Sequence, residues 1–255
     1  MSQIRHNNQL GLSIIELLIA LAISSLLILG ITQIYVDNKS NFFFQQGQSD
    51  NTENARYTML IFEEELRRVG YRTTPGSEFD SAFKQVAAGN CSFDAGETIN
   101  FNAVNNRICL RYKPYIPGLT SCDGIAPPDI DTPYQPAEEV ADIIVDLTFT
   151  GNSLLCNDQP VFDNLVDLQI EFGVSNAFSR ETDQYVNAPS PGQNIQSVRY
   201  AALIRSRNNN LATDTQSQAY EYWYETYYGT LGTSAPDRAL YLATENTINL
   251  RNLTR

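Results

Sequence analysis

The sequence predicts an α+β fold, in which a long N-terminal helix packs on a C-terminal antiparallel β-sheet domain. Residues 12–69 contain no proline, begin with an apolar run and end with an apolar stripe of helical spacing. From residue 71 onward, hydrophobic residues alternate with polar ones, which is typical of half-buried strands. One helix followed by a series of strands is the α+β pattern.

The apolar run covers residues 12–36 and is the first element of the chain. It exceeds the roughly 20 apolar residues that a helix needs to cross a bilayer. Gly30 weakens such a helix by only about 1 kcal/mol relative to alanine. The preceding residues 1–11 are polar and include Arg5, which predicts a cytoplasmic N-terminus and an exported remainder.

Three interpretations of this segment compete. A cleaved signal peptide would use the small residues Ala20 and Ala22, but it would leave an apolar mature N-terminus. A plain membrane anchor assigns no role to Glu16. The third interpretation is a leader of residues 1–11 that is removed after Gly11, so that the apolar helix is retained.

Glu16 favours the third interpretation. A carboxylate inside a membrane helix costs about 2.5–3.5 kcal/mol, so it normally has a functional partner. Cleavage after Gly11 would create a positively charged amine on Leu12, one helical turn before Glu16. When subunits pack side by side, amine and carboxylate could pair, and the pair is favourable only if both charges are present.

The segment GLSIIELLIAL, residues 11–21, resembles the prepilin signal of type IV pilins and type II secretion pseudopilins. The residue after Gly11 is leucine, where these families often have phenylalanine or methionine. The resemblance implies cleavage between Gly11 and Leu12 by prepilin peptidase, N-methylation of Leu12, and a role for Glu16 in subunit assembly. It also implies a type IV pilin-like fold.

The second half of the predicted helix carries an apolar stripe. Its members are spaced four, three, four and three residues apart, and are Ala55, Met59, Phe62, Leu66 and Val69. Gly70 is placed to end the helix in a left-handed conformation, and Arg67 and Arg68 suit the negative end of the helix dipole. The helix is therefore predicted over residues 12–70, with the stripe packed on the globular domain of residues 71–255.

Strands are predicted in that domain at residues 99–103, 107–112, 143–149, 166–174, 197–205, 220–228 and 248–250. Together they would form one antiparallel sheet that buries one face against the stripe. The aromatic run YEYWYETYYG, residues 220–229, is interpreted as a strand packed on both faces or as a sugar- or partner-binding surface. Proline-rich segments at 115–136 and 177–196 are predicted loops.

Composition limits the chemistry that the chain can perform. The net charge of −12 argues against electrostatic binding to nucleic acid. No CxxC pair occurs among the four cysteines, so disulfides in an oxidising compartment or buried free thiols are expected rather than zinc ligands. Three complete disulfide pairings remain open for Cys91, Cys109, Cys122 and Cys156.

Catalysis and metal binding are not expected. The only histidine, His6, lies in the predicted leader, so the mature chain lacks the usual base of serine and cysteine enzymes. No cofactor motif occurs. Glu138, Glu139, Asp142 and Asp146 could supply a catalytic carboxylate pair, but solvated strand ends of an acidic protein explain them better. Asp123, Asp129 and Asp131 could bind calcium, but they lack the D-x-D-x-D-G spacing of a calcium loop.

Three segments are similar to PilW-type minor pilins of type IV pilus assembly: LIFEEELRRVGYRTTP at 60–75, VRYAALIRSRN at 198–208 and INLRN at 248–252. The resemblance implies a low-abundance structural subunit that helps to initiate pilus assembly and lies near the fibre tip. Its implied partners are other minor pilins, the major pilin, a tip adhesin and prepilin peptidase. Its implied location is the inner membrane, in a single pass with a periplasmic domain, and then the pilus at the cell surface.

Other functions stay open at this point. A J-type minor pseudopilin of type II secretion has a similar plan. A membrane-anchored module that binds glycan or DNA belongs to a different class, and an enzyme is disfavoured by the missing base.

Overall fold

The computed structural model describes residues 13–126, 135–137, 139–176, 181–190 and 193–253. The chain divides into two compact units, Met1–Gln46 and Gly47–Arg255. Helix α1, Ile14–Arg68, contributes to both units. The division falls inside the helix, so the second unit includes the residues of the apolar stripe.

In the first unit, α1 has its apolar side chains exposed, and they include leucines, isoleucines and Val36. This helix is long and apolar enough to cross a membrane by length and composition. Its hydroxyl side chains bond back to carbonyls of the same helix: Ser24 Oγ donates to Ala20 O at 2.7 Å, and Thr32 Oγ1 to Ile28 O at 2.7 Å. These polar groups therefore need no water, as a hydrocarbon environment requires.

The second unit contains, besides the end of α1, two shorter helices and eleven strands among the described residues. They are α2 (Phe79–Ala82), β1 (Val86–Ala88), β2 (Cys91–Phe93), β3 (Ile99–Asn102), β4 (Arg107–Tyr112), β5 (Ile143–Thr150), β6 (Ser153–Cys156), β7 (Gln159–Asp163), β8 (Leu165–Ser175), β9 (Gln184–Val186), β10 (Asn194–Arg205), α3 (Gln218–Tyr228) and β11 (Tyr241–Asn249).

The strands form two principal antiparallel sheets rather than the single sheet expected from the sequence. One has five strands in the order β3-β4-β5-β6-β7, and the other has four in the order β11-β10-β8-β9. Strands β1 and β2 form a separate hairpin. A chain turn at Asn164, which has a φ of 64°, separates the last strand of the first sheet from β8 of the second.

Four members of the predicted stripe are buried: Ala55, Phe62, Leu66 and Val69. They join one core cluster that includes residues of both principal sheets. Phe62 and Leu66 are 1% and 0% exposed, so the stripe is the surface on which the sheets pack. The α+β class with a long N-terminal helix is confirmed.

Gly70 ends the helix with a φ of 70°, as its position predicted. Asn252, near the chain end, donates from Nδ2 to the carbonyls of Arg67 at 3.0 Å and Val69 at 3.1 Å. These bonds satisfy carbonyl groups that a helix end leaves without partners. Residues from the two ends of the domain are thereby joined.

The prediction of a strand at residues 220–228 is wrong, because these residues form helix α3. Ser217 caps the helix by accepting from Tyr220 N at 3.4 Å, and Gly229 closes it with a φ of 66°. Tyr220, Trp223 and Tyr227 fall at helical spacing, and they pack on β10 and β11. The run is thus an amphipathic helix, and the alternation of aromatic residues was a coincidence of composition.

Candidate assembly site

Glu16 lies in the first turn of α1 and is the only acidic or basic residue from 14 to 36. Its Oε2 accepts a long hydrogen bond of 3.4 Å from the backbone N–H of Ser13, which precedes the helix. No partner of its Oε1 occurs among the described residues. A carboxylate in this turn interacts favourably with the positive end of the helix dipole. It also keeps one oxygen available to a cation from another molecule.

The predicted cleavage site lies outside the described residues, as do Gly11, Leu12 and the leader. Cleavage after Gly11 and methylation of Leu12 therefore remain predictions. Ser13 and Glu16 are the first members of this element whose geometry is visible.

A buried network fixes the other end of α1 to the domain. Tyr112 on β4 donates from its hydroxyl to Glu65 Oε2 at 2.8 Å, and Arg68 Nη1 contacts Glu65 Oε1 at 3.1 Å. Arg68 Nη1 also donates to Thr120 O at 3.1 Å. Burial raises the pKa of Glu65, although the Tyr112 hydroxyl and the Arg68 charge oppose this. Burial and the nearby Glu65 carboxylate also raise the pKa of Tyr112.

The sequence did not reveal this network. Glu65 occurs within the acidic run EEE, residues 63–65. Glu63 pairs with the exposed Arg67, and Glu64 lies 3.8 Å from Arg68, the same arginine that contacts Glu65. Glu65 lies one position before Leu66, next to the buried stripe. That position was the available signal that one of the three carboxylates would be buried.

Two disulfides join the four cysteines: Cys91 to Cys109 and Cys122 to Cys156. The first ties the β1–β2 hairpin to β4, and the second ties the loop after β4 to β6. Sequence separations of 18 and 34 residues correspond to about 3 and about 4 kcal/mol of stabilisation in the chain-entropy picture. The long loop between β4 and β5 is therefore held by a covalent bond.

Two of the four carboxylates that could form a catalytic pair, Asp142 and Asp146, have structural partners. Asp146 Oδ1 pairs with Arg107 Nε at 3.0 Å. Asp142 contacts Lys113 Nζ at 2.6 Å and the fully buried Arg111 at 3.6 Å. Each is neutralised by a cation instead of facing another carboxylate. Glu139 takes part in neither of these ion pairs, and Glu138 lies outside the described residues.

Three aspartates could in principle bind calcium. Asp123 is among the described residues, whereas Asp129 and Asp131 lie outside them. Its two oxygens accept from Asn157 Nδ2 at 2.7 Å and from Ser121 Oγ at 2.6 Å. Burial alone would raise the pKa of Asp123, but these bonds and one from Ile125 N lower it overall. The carboxylate thus anchors a turn beside the disulfide of Cys122.

Comparison with known families gives the decisive observation. The family model described as type IV pilus-assembly protein W matches residues 137–252, and the prokaryotic N-terminal methylation motif matches residues 6–32. Together these two matches support a PilW-type minor pilin. The first match contains β5 to β11 and the Asn252 cap, and the second contains Gly11, Leu12 and Glu16.

Other comparisons are more distant. A type IV-like pilin from Thermus thermophilus is 11% identical over 79% of this chain and 97% of its own, with a TM-score of 0.42. No curated protein matches the sequence. The N-terminal methylation motif and the apolar N-terminal helix fit a pilin anchored in the inner membrane.

Proposed function

We propose that this PilW-type chain helps to initiate type IV pilus assembly and lies near the fibre tip. The observation that carries the proposal is the exposed apolar helix with its single carboxylate, Glu16, in a chain whose domain matches the PilW family. An exposed apolar surface of this length needs lipid or other apolar helices around it. The protein is therefore built to move from a membrane into a helical bundle.

The order of events follows from the charges. Prepilin peptidase would cut after Gly11 and leave a positively charged amine on Leu12. The free oxygen of Glu16 on one subunit would then accept the amine of its neighbour. Because an unpaired charge in an apolar bundle is costly, this pairing favours the correct helix register and penalises uncut subunits.

The proposal includes the topology and the partners. Arg5 favours a cytoplasmic N-terminus, and the disulfide-bonded domain would then lie in the oxidising periplasm. The partners would be other minor pilins, the major pilin and a tip adhesin. The described carboxylates serve as ion-pair and turn anchors, which supports a structural role without catalytic activity.

A deletion strain tests the function. Loss of the chain should strongly reduce the number of surface pili counted by electron microscopy, and the intact gene should restore them. Normal pilus numbers in the deletion strain would contradict the proposal. A defect in protein secretion with normal pili would instead identify the chain as a type II secretion pseudopilin.

A further inference from the structure

Strand β11 forms an outer edge of the four-stranded sheet, and no strand of the described residues pairs with its far side. It has nine residues, and its register with β10 runs without a bulge from Tyr241 opposite Arg205 to Asn249 opposite Ser197. Edge strands are usually shortened, bent or protected by lysine or proline. Strand β11 has none of these features, since its sequence is YLATENTIN.

The direction of the backbone groups identifies which residues face outward. Leu240 O accepts from Ser206 N at 2.8 Å, and Leu250 N donates to Gln196 O at 2.8 Å. Groups alternate along a strand, so even-numbered residues between these points face β10 and odd-numbered residues face away. The outward set is Tyr241, Ala243, Glu245, Thr247 and Asn249.

Within the described part of the chain, three outward residues keep both backbone groups unpaired: Tyr241, Ala243 and Glu245. The N–H of Thr247 donates to Asn246 Oδ1 at 2.8 Å, and Asn249 O accepts from Arg251 N at 3.2 Å. The residues with both groups unpaired therefore run from the start of β11 to its middle. They form the donor and acceptor pattern that an added strand would meet.

Both faces of β11 are held in place, so its edge is fixed before any partner arrives. On one face Thr244 contacts Met59 of α1, its Oγ1 lying 3.5 Å from the sulfur. On the other, Tyr241 packs edge-on against Tyr220 of α3, with ring centroids 5.0 Å apart. A fixed edge lowers the ordering cost of binding an extended segment.

We infer that the β11 edge receives an extended strand from a different pilus subunit, with a lysine or arginine opposite Glu245. This inference rests on the proposed function. Glu245 is exposed and is the only charged side chain of β11, in a chain of net charge −12. Opposite charges on paired strands stabilise the pair, and like charges destabilise it. The complementary partner is therefore a strand with a basic residue.

A second copy of the chain fits this edge poorly. In the antiparallel self-pairing of greatest overlap, Ala243 faces Thr247 and the two Glu245 side chains lie directly opposite each other. That arrangement is destabilising, and shifted registers lose backbone hydrogen bonds. A different subunit has no such constraint.

The test uses the full-length chain in piliated cells. A photo-reactive phenylalanine analogue replaces Thr247 or Asn249 in separate strains, and Tyr222 on the exposed face of α3 provides the control position. Mass spectrometry of the adducts should locate cross-links from 247 and 249 two residues apart in one segment of another pilus subunit. Adducts to a second copy, adducts from Tyr222 alone or no adducts would overturn the inference.

Substitutions at Glu245 separate the backbone contribution from the charge. E245P removes an outward N–H without affecting the ladder to β10, and it should reduce the cross-link from 247 at least about tenfold. E245T keeps the N–H and should reduce the cross-link much less. E245K should reduce it roughly threefold by charge repulsion, whereas E225K on the exposed side of α3 should have no effect.

The results of the cross-linking experiment can be distinguished from those of the deletion strain that tests the proposed function. If the deletion strain lacks pili but E245P retains both pili and the cross-link, strand addition is wrong and the assembly role stands. Unchanged unfolding midpoints of the Glu245 variants would show that their effects do not come from misfolding.

Discussion

Phe62 of α1 stacks on Tyr200 of β10, with ring centroids 4.6 Å apart and an interplanar angle of 22°. The Tyr200 hydroxyl donates to the carbonyl of Met59 at 3.0 Å, one turn earlier on the same helix. Both rings are buried, at 1% exposure each. This pair is the centre of the contact between the helix and the four-stranded sheet.

Replacing Phe62 by alanine should lower the free energy of unfolding by about 3–5 kcal/mol, because it leaves a cavity and exposes the Tyr200 ring. Urea unfolding of the full-length protein in detergent micelles, followed by near-ultraviolet circular dichroism, measures the change. Tyr57→Ala is the matched control, since Tyr57 is on the same helix and is 48% exposed. Equal effects of the two substitutions would contradict the assigned packing.

The helix-terminating Gly70 provides a second test. Gly70 and Gly229 have similar φ angles of 70° and 66° and both follow a helix. A Cβ at Gly229 meets open space, whereas one at Gly70 would collide with Leu253. Gly229→Ala should therefore cost about 1–2 kcal/mol from the backbone alone, and Gly70→Ala should cost clearly more in the same urea experiment. A smaller cost at Gly70 would show that the chain end is not packed there.

Glu65 should make the stability of the domain dependent on pH. Burial raises the pKa of Glu65 in the folded chain, so the folded state retains a proton that the unfolded state has lost. The contribution of Glu65 is therefore largest below its ordinary pKa of about 4.3. It falls as the pH rises through the raised pKa, and it is constant above that.

Glu65→Gln should remove this dependence while retaining an oxygen that can accept from Tyr112. The measurement is the difference in unfolding free energy between wild type and variant from pH 4 to pH 7. The difference should shift in favour of the variant as the pH rises. Glu53→Gln, at an exposed position of α1, provides the control, and parallel curves for wild type and Glu65→Gln would rule out the effect.

Glu16 should act in assembly but not in membrane insertion. Glu16→Ala and the uncharged near-isostere Glu16→Gln should both insert and be cleaved, yet enter pili poorly, because the Leu12 amine then lacks a carboxylate. Ser24→Ala is the matched control, since the Ser24 hydroxyl donates to Ala20 O of its own helix and has no other partner among the described residues. Immunoblots of membrane and sheared-pilus fractions measure the distribution, and normal incorporation of Glu16→Gln would show that the charge pair is not required.

The sequence predicts the parts of this fold in which one physical signal dominates. The stripe from Ala55 to Val69 could be predicted because large apolar residues repeat at helical spacing. Strand β8 could be predicted because Leu168, Ile170 and Phe172 alternate with polar residues. In both cases burial on one face alone determined the pattern.

Other elements could not be predicted because the local sequence patterns fit more than one secondary structure. Helix α3 is so rich in tyrosine that aromatic residues match both periods, and only the cap residues Ser217 and Gly229 favour a helix. Five of the nine residues of β11 are polar, and they do not alternate with apolar ones, so the sequence suggested only residues 248–250. The edge position of β11 and the pairing of Cys122 with Cys156 depend on tertiary contacts that no local pattern records.

Mass spectrometry of the mature N-terminus, on the full-length protein isolated from membranes, tests the central claim most directly. If the leader is removed after Gly11 and the apolar helix is retained, the mature chain should begin with methylated Leu12. A chain that begins near Ile23, as after a conventional signal peptide, or an uncut chain that begins with Met1, would contradict the assembly mechanism.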